Sequence, residues 1–183
     1  MPRFQPMSQE IAVLVPQAGI PGGALLHIKQ GLAAHGLLMT LAAPLTGPCQ
    51  VTGGVHATAE AAFDDLDPDR LATLILLDGP EERLRDELTV ARLIDALGRE
   101  GRVVCAVGHG IAALGASGRY HGEEVAADSD LADHLRQHGL VPLLEPVVTG
   151  QRCVTATEAG AFQLTAELVG FRHIPTGFHP PPV

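Results

Sequence analysis

The chain predicts an α/β fold, a doubly wound and mostly parallel sheet with helices on both faces, and three observations carry that expectation. Residues 11–15, 73–77 and 103–107 are, Thr73 apart, apolar throughout rather than alternating, the pattern of strands buried on both faces. Between them apolar residues recur at helical spacing, first as Leu25, Ile28 and Leu32, then as Leu88, Val90, Ala91, Leu93, Ile94 and Leu97. Each strand run also closes on a turn rich in glycine or proline, so strands and helices alternate. With 183 residues there is material for one well-buried core and too little for two.

In order, residues 1–9 read as a loose leader, 10–170 as a single domain, and 171–183 as an extended tail. Pro175 and Pro180 to Pro182 forbid a continuing helix in that tail. Strand 11–15 is closed by Pro16 and the glycines of 17–23, and helix 24–35 ends at Gly36 as its C-cap. Strand 38–42 precedes a small hairpin turning at Gly53-Gly54 between Val51 and Val55. The acids Asp64, Asp65, Asp67 and Asp69 are expected to solvate a helix-to-strand connection ahead of strand 73–77. The charged run 81–87 opens helix 86–98, with its acids near the positive end. Strand 103–107 feeds a turn at Gly108-His109-Gly110 and a small-residue helix. Helix 128–139, a Thr149-Gly150 turn between Val147-Val148 and Cys153-Val154, and a closing helix 159–169 follow.

Composition excludes several partners. The formal charge is −9, with no run of Lys or Arg, so nucleic acid and anionic membranes would be repelled over most of the surface. No uncharged apolar run reaches the roughly 18 residues of a membrane span. Aromatic residues are 3% of the chain, with no Trp and one Tyr, too few for a platform that stacks bases or sugars. Cys49, Cys105 and Cys153 are odd in number and lack C-x-x-C spacing, which reads as reduced thiols in a cytoplasmic protein. Cys153 reads as a core thiol and Cys49 as a loop thiol. Of nine histidines only His134 and His138 share a helical i,i+4 spacing, on a face expected to be exposed, so no metal site is predicted. Gly108-x-Gly110-x-x-Ala113 satisfies a relaxed dinucleotide fingerprint. That reading wants an acid about twenty residues on, at the end of the next parallel strand. Glu123, Glu124 and Asp128 are nearby, but 119–127 is not a long buried strand, and no cofactor is expected.

The most informative segment is the strand-turn-helix at 103–114. Such a bend presents whatever residue stands in it, beside the free N–H groups of a helix start. Here the bend carries Gly108, which has the frame of a catalytic turn and no atom able to attack a carbonyl. His109 reads either as a base or as a residue that caps the turn and hydrogen-bonds a neighbouring loop. Strand alternation places Cys105 with Val107, embedded in sheet packing, where a thiol is inert. Pro16-Gln17, Asp78-Gly79-Pro80 and Gly108-His109 all fall at carboxyl ends of strands, where open α/β sheets bind ligands.

Asp78-Gly79-Pro80 through Leu84-Arg85, the strand into Ala106-Val107-Gly108-His109-Gly110, and the later Leu135-Arg136, Gly139 and Glu145-Pro146-Val147-Val148 together resemble the ThiJ/PfpI superfamily over residues 11–170. The resemblance implies a flavodoxin-like sheet related to class I glutamine amidotransferases, and a homodimer in which residues of one subunit reach the pocket of the other. The family's elbow typically reads Ala-Ile-Cys-His-Gly, so the histidine and second glycine carry over and the cysteine does not. The family also places a Glu near the start of the first helix, whereas here no carboxylate lies between Glu10 and Glu60. Gly79 matches the first glycine of the family's oxyanion loop, and Pro80, lacking an N–H, replaces the second.

The expectation is therefore a non-hydrolytic protein of regulatory or stress-related role. It would bind a small polar or anionic ligand at Gly79, Gly108, His109 and Gly110. The alternative is an active hydrolase or glyoxalase-like enzyme that uses a relocated nucleophile, Ser117 or Cys105, or His109 as general base on water.

Overall fold

The first apolar run forms β1 (Glu10–Leu14) and becomes an interior strand of a seven-stranded sheet in the computed structural model, which describes residues 10–54, 56–79 and 84–172. α1 (Gly22–Ala34) leads to β2 (Met39–Ala43). A hairpin of β3 (Gly47–Gln50) and β4 (His56–Ala59) follows, then the short β5 (Ala61–Ala62). Two 3-10 turns lead into β6 (Leu71–Asp78). Beyond it come α2 (Leu88–Arg99), β7 (Val104–Gly108) and α3 (Ile111–Ala116). The rest is β8 (Glu124–Ala126), α4 (Ser129–Gln137), β9 (Val141–Leu143), β10 (Val147–Thr149), β11 (Cys153–Ala156) and α5 (Ala161–Arg172).

The sheet order is β10-β11-β7-β6-β1-β2-β5, and every neighbouring pair is parallel except β10 with β11. The doubly wound α/β expectation holds. Side chains alternate between two cores, as a sheet covered on both faces requires. Ala12, Leu14, Leu74, Leu76, Val104 and Ala106 pack toward α2, α3 and α4. Ile11, Val13, Ile75, Leu77, Cys105 and Val107 pack toward α1 and α5. The chain leaves β1 for β2 on one side and later returns to β6 on the other, so the topological switch point lies between β1 and β6.

Several expectations need correction. The acidic stretch connects two strands, β5 and β6, through the 3-10 turns at Phe63–Asp65 and Pro68–Arg70; no helix precedes it. Asp65 Oδ2 accepts from the Ala62 amide at 3.2 Å, and Asp67 Oδ1 from the Asp69 amide at 3.0 Å, so two of these acids close local turns. Cys49 is buried in β3 and is not a loop thiol. Residues 119–127 hold the three-residue β8, in line with the expectation of no long buried strand there; it pairs in parallel with β9 in a separate two-stranded sheet. α5 runs on through Arg172, two residues past the expected tail boundary. The leader 1–9, Val55, residues 80–83 with Pro80, and the tail from 173 lie outside the described residues.

Thr155 ties the small β8–β9 sheet to the main one. Fully buried Thr155 in β11 accepts the Ala126 amide at 2.8 Å and reaches the Val148 carbonyl at 3.5 Å. Thr155→Val keeps the shape but leaves that buried N–H without its acceptor, which costs about 1–3 kcal/mol. Urea unfolding should report a lower midpoint with unchanged slope.

Candidate functional site

β7 lies between β6 and β11, and all three run parallel, so their carboxyl ends converge on one edge. Register pairs Asp78 with Gly108 and Ala156 with Val107. The residues just past β6 and β11 therefore flank the bend at the end of β7.

Gly108 ends β7 with φ +55°, the left-handed region that favours glycine. A Cβ built there would lie 3.3 Å from Cγ and 3.6 Å from Oε1 of Glu158. Glu158 opens the 3-10 turn after β11, whose N-cap Thr157 accepts the Gly160 amide. An exposed carboxylate thus stands beside the bend. The sequence reading found no acid for this position because it looked near the first helix.

His109 follows the bend, half-buried, and its Nδ1 is buried with no hydrogen-bond partner among the described residues. A buried ring nitrogen left without a partner costs free energy, and it belongs to the residue that follows the bend Glu158 faces.

The two other predicted glycines serve the backbone. A Cβ on Gly79 would fall 2.1 Å from the Gly19 carbonyl oxygen, so the loop after β6 packs directly on the loop after β1 at the switch point. The Gly79 amide donates to Asp78 Oδ1 at 2.9 Å, and Asp78 Oδ2 accepts the Leu84 amide at 2.8 Å. Asp78 is only 4% exposed; its carboxylate pins both sides of the 79–84 loop and takes up the N–H that the resemblance assigned to an oxyanion hole. The Gly110 amide donates to the Val107 carbonyl at 3.0 Å, and a Cβ there would meet the Leu76 oxygen at 2.4 Å. Gln17 is likewise structural, donating to the Pro48 carbonyl and accepting the Leu45 amide.

The relocated nucleophiles are poorly placed. Burial pushes the Cys105 and Cys153 thiols up to about 12 and raises that of Cys49. Cys105 points into the α1–α5 core with Val107, as alternation predicted. Ser117 Oγ donates to the Leu114 carbonyl at 2.7 Å and caps α3. Neutral thiols do not alkylate, so native protein at neutral pH should take up no iodoacetamide over minutes. Denatured protein should take up three equivalents, matching the three cysteines; intact-mass spectrometry reads both.

His134 and His138 are half-buried rather than on an exposed face. Their rings meet edge to face at 4.8 Å, and Arg85 donates to His134 Nε2 at 2.7 Å. Among the described residues, no group of three metal-ligating side chains gathers around them or elsewhere, and no helix is long and apolar enough to cross a membrane.

The DJ-1/PfpI family model matches residues 20–170. The chain belongs to the DJ-1/PfpI family. Solved structures with the same fold include a ThiJ/PfpI domain protein from Brachyspira murdochii, at TM-score 0.84 and 16% identity, covering 90% of this chain and 96% of that one. A putative protease I from Bacteroides thetaiotaomicron matches at TM-score 0.78 and 14% identity, covering 89% and 98%. Oxidized DJ-1 from Toxoplasma gondii matches at TM-score 0.76 and 19% identity, covering 88% and 90%. No curated protein sequence matches the chain. The DJ-1/PfpI neighbours are flavodoxin-like, and at these identities they establish the fold alone.

Proposed function

We propose that this DJ-1/PfpI-family chain binds a small polar ligand at the bend after β7 without covalent thiol chemistry, in a regulatory or stress-related role. The observation that carries the reading is the Glu158 carboxylate standing against a bend residue, Gly108, that has no side chain. Where the family motif has a cysteine, this chain offers a hydrogen-bond acceptor. His109 Nδ1 is a second polar atom in want of a partner. The Glu158 carboxylate selects a ligand that donates hydrogen bonds, such as an ammonium, amide or hydroxyl group, while His109 Nδ1 donates or accepts according to its tautomer.

An anion is disfavoured by two features. Glu158 would repel it, and α3 is six residues long with the Gly110, Ala112 and Ala113 amides already bonded to carbonyls of the turn. Of the expected contacts, Gly108 and His109 keep a direct role in this reading, while Gly79 and Gly110 shape the loops around it. A cytoplasmic homodimer remains the expected context, since members of the family usually pair.

A second reading rests on the same two side chains. Glu158 and His109 together could move a proton to or from a bound water or substrate, as a general acid–base pair. The deciding experiment offers methylglyoxal and a peptide amide as substrates, with and without iodoacetamide, and scans amines, amides and diols by amide chemical shifts near His109. The binding reading expects no turnover and saturable shifts that Glu158→Gln abolishes. Turnover insensitive to iodoacetamide but lost in Glu158→Gln and His109→Ala would establish acid–base catalysis instead. Turnover abolished by iodoacetamide would overturn both.

A further inference from the structure

The histidine pair of α4 has no part in the reading of the bend, yet histidine is the side chain whose charge ordinarily changes near neutral pH. His134 and His138 lie one turn apart, half-buried, with their rings edge to face at 4.8 Å. Arg85 Nη1 meets His134 Nε2 at 2.7 Å. Arg85 belongs to the 3-10 turn Leu84–Asp86, so this bond joins α4 to the turn that precedes α2. The Arg85 side chain is 21% exposed, and its Nε lies 3.8 Å from Asp86 Oδ1.

The chemistry of the two partners admits one protonation state. A guanidinium stays charged and only donates hydrogen bonds. The contact therefore needs a lone pair on His134 Nε2, which a neutral ring with its proton on Nδ1 provides and an imidazolium does not. A proton on Nε2 would set N–H against N–H and bring two cations to hydrogen-bond distance, a repulsion little screened where both side chains are half-buried.

The surroundings act in the same direction. α3 and β9 pack against α4, and neither Ile111–Ala116 nor Val141–Leu143 contains a titratable residue. On α4 itself Asp133 is paired with Arg136, and Asp130 is exposed in the first turn. Facing the pair from the 3-10 turn are the Arg85 cation and the mostly exposed Asp86. Burial first, and then the Arg85 guanidinium, hold His138 below the ordinary histidine value, with Asp86 opposing them. A proton on His138 would add a further cation beside Arg85.

One residue carries the state of Arg85 toward the bend. The amide of the preceding Leu84 donates to Asp78 Oδ2 at 2.8 Å, while the Gly79 amide donates to Asp78 Oδ1. Asp78 stands beside Gly108 in register. We infer that the Arg85–His134 bond is a pH-sensitive clasp, closed while His134 is neutral and opened by a proton at Nε2, which ties α4 through Leu84 and Asp78 to the end of β7. Once open, Arg85 is left with Asp86 and water, and the Leu84–Asp78 bond loses the support of α4. The clasp does not depend on any ligand at Gly108.

The test follows the ring nitrogen shifts of His134 and the amide shifts of Gly79 and Leu84 in the full chain, from pH about 8 to about 5. His134 should be the neutral Nδ1–H tautomer at the upper end, and ring and amides should then move with one shared midpoint. His134→Gln, whose side-chain oxygen accepts from Arg85 and takes up no proton, should abolish that midpoint and keep both amides near their high-pH positions. Arg85→Met should shift the His134 midpoint upward, because the repelling cation is gone, and should uncouple both amides from it. An imidazolium at the upper end of the range would overturn the inference. So would a His134 titration that leaves Gly79 and Leu84 unmoved, or a shared midpoint that persists in His134→Gln.

Discussion

Replacing Gly110 by alanine is expected to lower the thermal midpoint by roughly 6–12 °C, corresponding to about 3 kcal/mol of stability. The cause is space and not backbone conformation: Gly110 has φ −61°, which any residue adopts. A Cβ there would sit 2.4 Å from the Leu76 carbonyl oxygen, 2.8 Å from its carbon and 3.1 Å from the Val107 oxygen. All three are backbone atoms of fully buried residues in the adjacent strands β6 and β7, and cannot swing aside as a flexible side chain would. Relief requires α3 to lift from the sheet, which would also displace His109. Gly23→Ala is the matched control, since that helical position in α1 faces open space; there alanine should raise stability by about 0.5–1 kcal/mol. A Gly110→Ala protein melting with the wild type would mean that α3 does not pack on β6 as closely as described.

That prediction also marks where sequence reading stops. The strands of the central sheet were legible because burial on both faces leaves a continuous apolar run, and the bend after β7 was legible because strand, glycine and small-residue helix follow one another locally. What the glycines are for was not. Gly79 and Gly110 read equally well as residues baring an N–H to a ligand and as residues letting two backbones touch; only the tertiary neighbours Gly19 and Leu76 decide for the second. Glu158 was missed for a related reason. It lies fifty residues beyond the bend, and its place follows from β11 docking in register on β7. A signal existed: the criterion that singled out Pro16, Asp78 and Gly108, position just past a strand's carboxyl end, applies equally to Thr157 and Glu158 after the run ending at Ala156. β8 and β9, three residues each, carry too little pattern to be recognised at all.

Gly108→Cys is expected to create one fast-reacting thiol in a protein that otherwise has none. The Cys105 and Cys153 thiols, packed in the sheet, stand at about 12, whereas a thiol at position 108 would face the exposed Glu158 side chain and start nearer an ordinary value of about 8.5. At neutral pH the difference in thiolate fraction alone makes alkylation on the order of a thousandfold faster. The substitution carries a cost, because a residue with a Cβ at φ +55° loses about 1–2 kcal/mol, and the 3.3 Å contact with Glu158 Cγ asks that exposed side chain to move slightly. Folding should survive both. The sign of Glu158's influence then becomes measurable. A carboxylate beside the new sulfur opposes the thiolate's negative charge and raises the thiol's pKa, so adding Glu158→Gln to Gly108→Cys should speed labelling and shift its pH midpoint downward. Slower labelling in the double variant would mean that Glu158 donates a proton to the sulfur, stabilising the thiolate in the manner the ThiJ/PfpI resemblance implies for its own acid. In that case one substitution in this chain would restore the reactive pair, with the acid supplied from the segment after β11 instead of the start of the first helix.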